Sequence, residues 1–223
     1  MWVGSGRDLI VIYGILLVLA KQLTLVFAAG CAIQPDANGH VDIPSTWTSI
    51  SKYAFDSCSS LETVSIPDSV TSIGGSAFYG CSNLETVSIG NSVTSIGGSA
   101  FSFCKSLETV SMGNSVKSIG IYAFYGCSSL ETVSIPDSVT SIGDDAFYGC
   151  TRLETVSMGN SVTSIGNSAF YYCSNLTTVT VGDSPVFGVG DNAFYGSESI
   201  VNMTFGTLDN ITFKSGELTL LTF

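Results

Sequence analysis

Residues 130–152 read LETVSIPDSVTSIGDDAFYGCTR, and variants of this phrase fill most of the chain. Its Ala-Phe pair falls at positions 54, 77, 100, 123, 146, 169 and 193, so the step is 23 residues five times and 24 once. A fixed period of this size marks a solenoid, in which each copy is one coil stacked on the last. In the first full copy the apolar positions are Leu61, Val64, Ile66, Val70, Ile73, Ala77, Phe78 and Cys81, and later copies repeat them. Val64-Ser65-Ile66 alternates inward, outward, inward, which is the period of a strand. Val70 and Ile73, set among Ser and Thr, predict a second short strand or extended edge. Gly74 and Gly97 permit a tight bend. Ser76-Ala77-Phe78-Tyr79-Gly80 is too short for an ordinary helix and predicts one helical or 3₁₀ turn, capped by Ser and stopped by Gly.

Composition narrows the function classes. Across 223 residues, 7 Lys and Arg stand against 18 Asp and Glu, for a formal net charge of -11. Phosphate contacts need basic side chains, so nucleic acid is excluded as a partner, and anionic lipid surfaces are disfavoured. With one histidine, His40, neither a Ser/His/Asp nor a Cys/His set can be assembled. The chain reads as no enzyme, with no cofactor and no metal site.

Both ends depart from the repeat. Residues 9–29 are largely apolar, and small residues Ala28, Ala29 and Gly30 precede Cys31. Residues 1–30 read as a secretory signal cleaved before Cys31, the alternative being an uncleaved membrane anchor. Lys21 would be costly within a membrane span. Small residues ahead of a Cys also resemble a bacterial lipoprotein signal, which would place a lipid on Cys31; Ala28 stands where that signal usually has Leu. Residues 31–44 form an N-terminal cap rich in turn formers, with Trp47 covering the open end of the core. Residues 45–203 hold about seven coils. Residues 204–223 are a C-terminal cap with two strands around Lys214–Glu217, or a truncated end.

The pattern I-P-D-S-V-T-S-I-G-x-x-A-F-x-x-C-x-x-L-x-x-V, matched throughout by residues 66–87 and 135–156, resembles the BspA-like class of leucine-rich repeat. The likeness covers roughly residues 41–203. It implies a right-handed leucine-rich repeat solenoid, mainly parallel strands, on a secreted or cell-surface protein whose usual role is adhesion and protein binding. The sequence departs from the commonest leucine-rich pattern at Ser69, Ser92, Ser115, Ser138 and Ser161, where that pattern has Asn.

Stacking turns each repeat position into a column. Cys58, Cys81, Cys104, Cys127, Cys150 and Cys173 form one. Neighbouring rungs about 4.8 Å apart are within disulfide reach, but parallel Cβ vectors fit disulfide geometry badly. Metal ligands usually come in close pairs, whereas each coil has one Cys. The column therefore reads as buried structural thiols. Glu62, Glu85, Glu108, Glu131 and Glu154 read as a solvated acidic edge, since like charges a rung apart repel. Tyr79, Tyr125, Tyr148, Tyr171 and Tyr195 follow the core Phe and read as covering the edge of the turn. The copies disagree in the bend before Ala-Phe: Gly75-Ser76, Ile121-Tyr122 and Asp144-Asp145. This bend is the candidate contact edge for a protein or extracellular matrix partner. A near-identical face repeated five times also suits a structural spacer, or a fragment of a larger surface protein, without one specific ligand.

Overall fold

The computed structural model describes residues 30–183, 187–206 and 211–213. Residues 1–29 of the signal or anchor segment read in residues 1–30, and the turn at Lys214–Glu217, lie outside the described residues. Each coil gives two parallel strands. The first is the V-x-I stretch: Thr63–Ile66, Thr86–Ile89, Thr109–Ser111, Thr132–Ile135, Thr155–Met158 and Thr178–Val181. His40–Asp42 precedes this series and Asn202–Phe205 follows it. The second is a Ser-Ile pair, from Ser49–Ile50 to Ser164–Ile165, continued by Phe187–Val189 and Ile211–Phe213. Register follows the repeat: Val64 lies opposite Val41 and Val87, and Ile73 opposite Ile50 and Ile96.

Alternation decides the burial. Val64, Ile66, Val70 and Ile73 are buried, and their equivalents share one core running the length of the solenoid. At its centre the Phe55, Phe78, Phe101, Phe124, Phe147 and Phe170 rings stack with centroids 5.0–5.2 Å apart and planes within 2–8°. A stack of offset aromatic rings adds to the area they bury. Gly74 sits where a Cβ would lie 2.6 Å from Lys52 N, so consecutive coils can touch only if the bend lacks a side chain.

The third side of the coil corrects the expectation of a helical turn: among the described residues it holds turns and no helix. Alternate N–H groups explain why. Ala54, Asp56 and Cys58 donate three residues back, to Ser51, Tyr53 and Phe55, whereas Tyr53, Phe55 and Ser57 donate to Gly75, Ala77 and Tyr79 of the next coil. Two corners per coil are left-handed, at Ser76 (φ 53°) and Gly80 (φ 67°) in the first full copy. A right-handed helix cannot pass through such corners. The gain is a third ladder of hydrogen bonds between coils.

The N-terminal cap is held by its own chemistry. Asp36 accepts the N–H groups of Asn38 (2.8 Å) and His40 (2.9 Å), and these bonds, His40 first, hold its carboxyl below the usual range. Cys31 is disulfide-bonded to Cys58, with Cα atoms 5.1 Å apart. This corrects the reading of Cys58 as a thiol. The column of free thiols begins at Cys81. Cys31 lies 27 residues from Cys58, outside the 23-residue register, so the objection to disulfides between stacked rungs does not apply to it.

One side of the coil is interrupted. The second strands form one eight-stranded sheet, but the first strands form two sheets of four, parted between Thr109–Ser111 and Thr132–Ile135. Pro136 stands at the parting. Gly159 N donates to Ile135 O (2.9 Å) and Gly182 N to Met158 O (3.0 Å), each joining one coil to the one before. Pro136 holds the same place and has no N–H to give to Met112. Its ring also fills a position where Gly90 shows that even a Cβ would press on the previous backbone, 2.7 Å from Pro67 C. Pro67 shares the column, yet pairing of His40–Asp42 with Thr63–Ser65 persists there.

Candidate functional site, an aromatic edge on the turns

The bend residues fall into two columns on the third side. Ile121 and Tyr122 lie directly beside Asp144 and Asp145, with Tyr122 N donating to Asp144 O at 3.0 Å. Gly75 and Ser76 are separated from them by the coil that carries Gly98 and Ser99. The structure thus brings together four of the six bend residues. Asp144 also supports the fold. Its Oδ1 accepts Asn167 N at 2.7 Å, and Asn167 Oδ1 in turn accepts Asp191 N at 2.8 Å. Partial burial, then the charge of Asp144 beside it, raises the Asp145 carboxyl above its ordinary value.

The tyrosines form a second column on the same side. Tyr125, Tyr148, Tyr171 and Tyr195 stack with centroids 4.8–5.0 Å apart. The third coil has Ser102 where five others have Tyr and the first has Asp56, and Phe103 fills the gap from the next position. Its ring stands edge-on to Tyr79 (5.5 Å) and Tyr125 (5.3 Å). Tyr122 adds an edge contact to Tyr125 at 5.6 Å, and Tyr172 one to Tyr171 at 4.5 Å. The result is a continuous band of rings from Tyr79 to Tyr195. Ile121 is 51% exposed, Tyr122 44% and Tyr172 48%, so the band is open to a partner.

Sequence reading passed over Phe103 and Tyr172. Both stand in the column of Gly80, Gly126, Gly149 and Gly196, at left-handed corners with φ 59° and 55°. A bulky residue at positive φ is an outlier. The signal was present in the sequence: two aromatic residues in a column otherwise given to glycine and Ser57. Each ring has room because the next coil keeps its glycine. A Cβ on Gly126 would lie 3.2 Å from the Phe103 ring, and Tyr172 lies against Gly196 in the same way.

The remaining columns are occupied by the fold. Cys81, Cys104, Cys127, Cys150 and Cys173 are free and buried. Each thiol donates to the carbonyl of a core Phe one coil back, from Cys81 to Phe55 (2.9 Å) through Cys173 to Phe147 (3.2 Å). Burial pushes the Cys104, Cys127 and Cys150 thiols up, and Cys173 up to about 12. Cys104, Cys127, Cys150 and Cys173 are neutral donors in the folded chain. Ser197 continues the column, its hydroxyl donating to Phe170 O at 2.8 Å. The five Glu side chains are exposed, and Arg152 pairs with Glu131. Thr71, Thr94, Thr140 and Thr163 hydroxyls donate to the carbonyl of the residue one rung back. Among the described residues no group of three or more His, Cys, Asp and Glu could hold a metal ion. A cleft of about 570 Å³ lies at the parted sheets, lined by Val110, Met112, Pro136, Asp137 and Met158 among others.

Known proteins share this architecture. The model for the BspA type leucine-rich repeat region matches six copies over residues 37–128 and 100–218. The crystal structure of a leucine-rich repeat protein from T. pallidum superposes with a TM-score of 0.63 at 29% identity, covering 78% of each chain. A leucine-rich repeat protein from Eubacterium ventriosum (TM-score 0.53, 24% identity) and the pneumococcal vaccine antigen PcpA (0.54, 19%) share the fold. The matches cover 76% and 82% of this chain but only 55% and 46% of those proteins. No curated protein matches at a significant level. With the repeat model spanning most of the chain and the same coil seen in solved relatives, the protein belongs to the BspA-type leucine-rich repeat family.

Proposed function

We propose that this chain is a secreted or cell-surface leucine-rich repeat protein that binds other proteins or extracellular matrix through the turn edge. The observation that carries the reading is the band of exposed and half-buried rings from Tyr79 to Tyr195, flanked by the bend where the copies differ. Aromatic side chains are enriched at interfaces, and a rigid stack of coils presents them without an ordering cost on binding. The Cys31–Cys58 disulfide suits an oxidising compartment, in keeping with a surface location. The repeat family indicates no catalytic chemistry.

The test is capture of purified extracellular matrix proteins by the immobilised full-length chain. The comparison is a variant whose bends are set to the Gly-Ser of the first copy: Ile121→Gly, Tyr122→Ser, Asp144→Gly and Asp145→Ser. Reduced capture is expected, and equal capture would remove the edge from consideration. A spacer role is favoured by one observation, the near-identical hydrogen-bond ladders of successive coils. It predicts no saturable capture by either protein.

A further inference from the structure

Binding in general does not explain why glycine gives way to Phe103 and Tyr172 at left-handed corners. Holding bulky non-glycine residues at such backbone angles is costly, and such conformations persist at functional sites. Tyr122, at φ 58°, stands at the other corner, where Ser76, Ser99 and Ser168 serve in other copies. All three side chains are exposed. The choice of partner rests on charge. The chain carries -11, Asp144 and Asp145 adjoin Tyr122, and Asp191 is exposed further along the same edge. The first ring of the edge already holds a cation: Lys52 Nζ lies 4.7 Å from the centroid of Tyr53, itself at φ 62° in the Tyr122 column. Among the described residues no second cation lies over a ring of this edge.

We propose that the aromatic edge takes an arginine-rich, extended segment of a partner protein. Its guanidinium groups lie against Phe103, Tyr122 and Tyr172, and its charge is answered by Asp144 and Asp145. This rests on the reading of the turn edge as the binding surface and adds the chemistry of the partner. Arginine fits better than lysine because its planar, weakly hydrated head stacks on rings while keeping its charge.

The probe is fluorescein-labelled nona-arginine, titrated with the full-length chain at about 0.15 M salt and followed by anisotropy. The key variant is Phe103→Gly/Tyr122→Ser/Tyr172→Gly. Each change installs a residue that other copies carry at the same position, so the coil is preserved, and the net charge does not move. The expected result is binding about ten- to a hundredfold weaker, from three ring contacts at exposed sites. Asp144→Gly/Asp145→Ser should weaken it several-fold and flatten its dependence on salt. Affinity within twofold of the unmodified chain in the ring variant overturns the proposal, because bulk acidity alone then explains binding. Binding of a neutral oligosaccharide, or self-association, that the ring variant abolishes while nona-arginine binding survives also overturns it. The two readings fail separately. Matrix capture lost in the four-residue bend variant, with nona-arginine binding unmoved by the ring variant, removes the basic partner and keeps the binding edge.

Discussion

The thiol column shows how a single residue type serves two demands. At Cys127 the sulfur fills a small buried space and also donates to Phe101 O at 3.2 Å. Ser197 meets the second demand with a hydroxyl, so Cys127→Ser should keep the bond and lower stability only slightly. Cys127→Ala leaves that acceptor short and opens a void, at a cost of about 1–3 kcal/mol. Urea denaturation of the two variants checks the order; an alanine variant as stable as serine would show that the bond contributes nothing. The same burial sets a pH dependence. Cys104, Cys127, Cys150 and Cys173 have raised thiol pKa values in the folded chain, with 9.0 as their ordinary value. Above pH 9 the unfolded chain loses these protons and the folded one keeps them, so the unfolded state gains. Stability is full below pH 9 and falls through pH 12, by up to about 1.4 kcal/mol per unit for each thiol. Melting curves from pH 8 to 11 follow the fall, and a flat profile would contradict the burial.

At the level of strands and turns, the sequence was legible wherever a residue's role follows from its own type. The V-x-I alternation announced the first strand, and the second short strand followed from Val70 and Ile73. The turn was misread because Ser76 and Gly80 look like a helix cap and stop. What defeats the helix is the next coil, whose carbonyls draw off alternate N–H groups, and no single copy reveals that. The parting at Pro136 was equally hidden: Pro67 sits in the same column without the same effect, and only the neighbouring coil separates the two cases. Pro136→Gly, the residue present at 90, 113 and 159, should let Thr132–Ile135 pair with Thr109–Ser111. Hydrogen exchange of the amides in residues 132–135 should then slow by tenfold or more. Unchanged exchange would clear the proline of responsibility.

Over the whole molecule, regularity made the fold readable and the site only partly so. The bend was found because Ile121-Tyr122 and Asp144-Asp145 differ from their counterparts. The ring band was not, because its members come from two columns that meet only when coils stack: Phe103 fills the place that Ser102 leaves. The same regularity makes each coil depend on its neighbours alone, and at one junction that support is reduced. Between the coils of Thr109–Ser111 and Thr132–Ile135, two sides are laced and the third is open. Under the proposed binding role, this matters under load. Tension along the axis is carried by every bond of a junction at once, so the junction lacking one lace is the weakest link. The rod should part there first, into halves of similar length, and act as a mechanical fuse. In single-molecule pulling from both ends, a low-force step should precede the main rupture and should vanish in Pro136→Gly. One cooperative rupture in the unmodified chain would mean that the two closed sides carry the load by themselves.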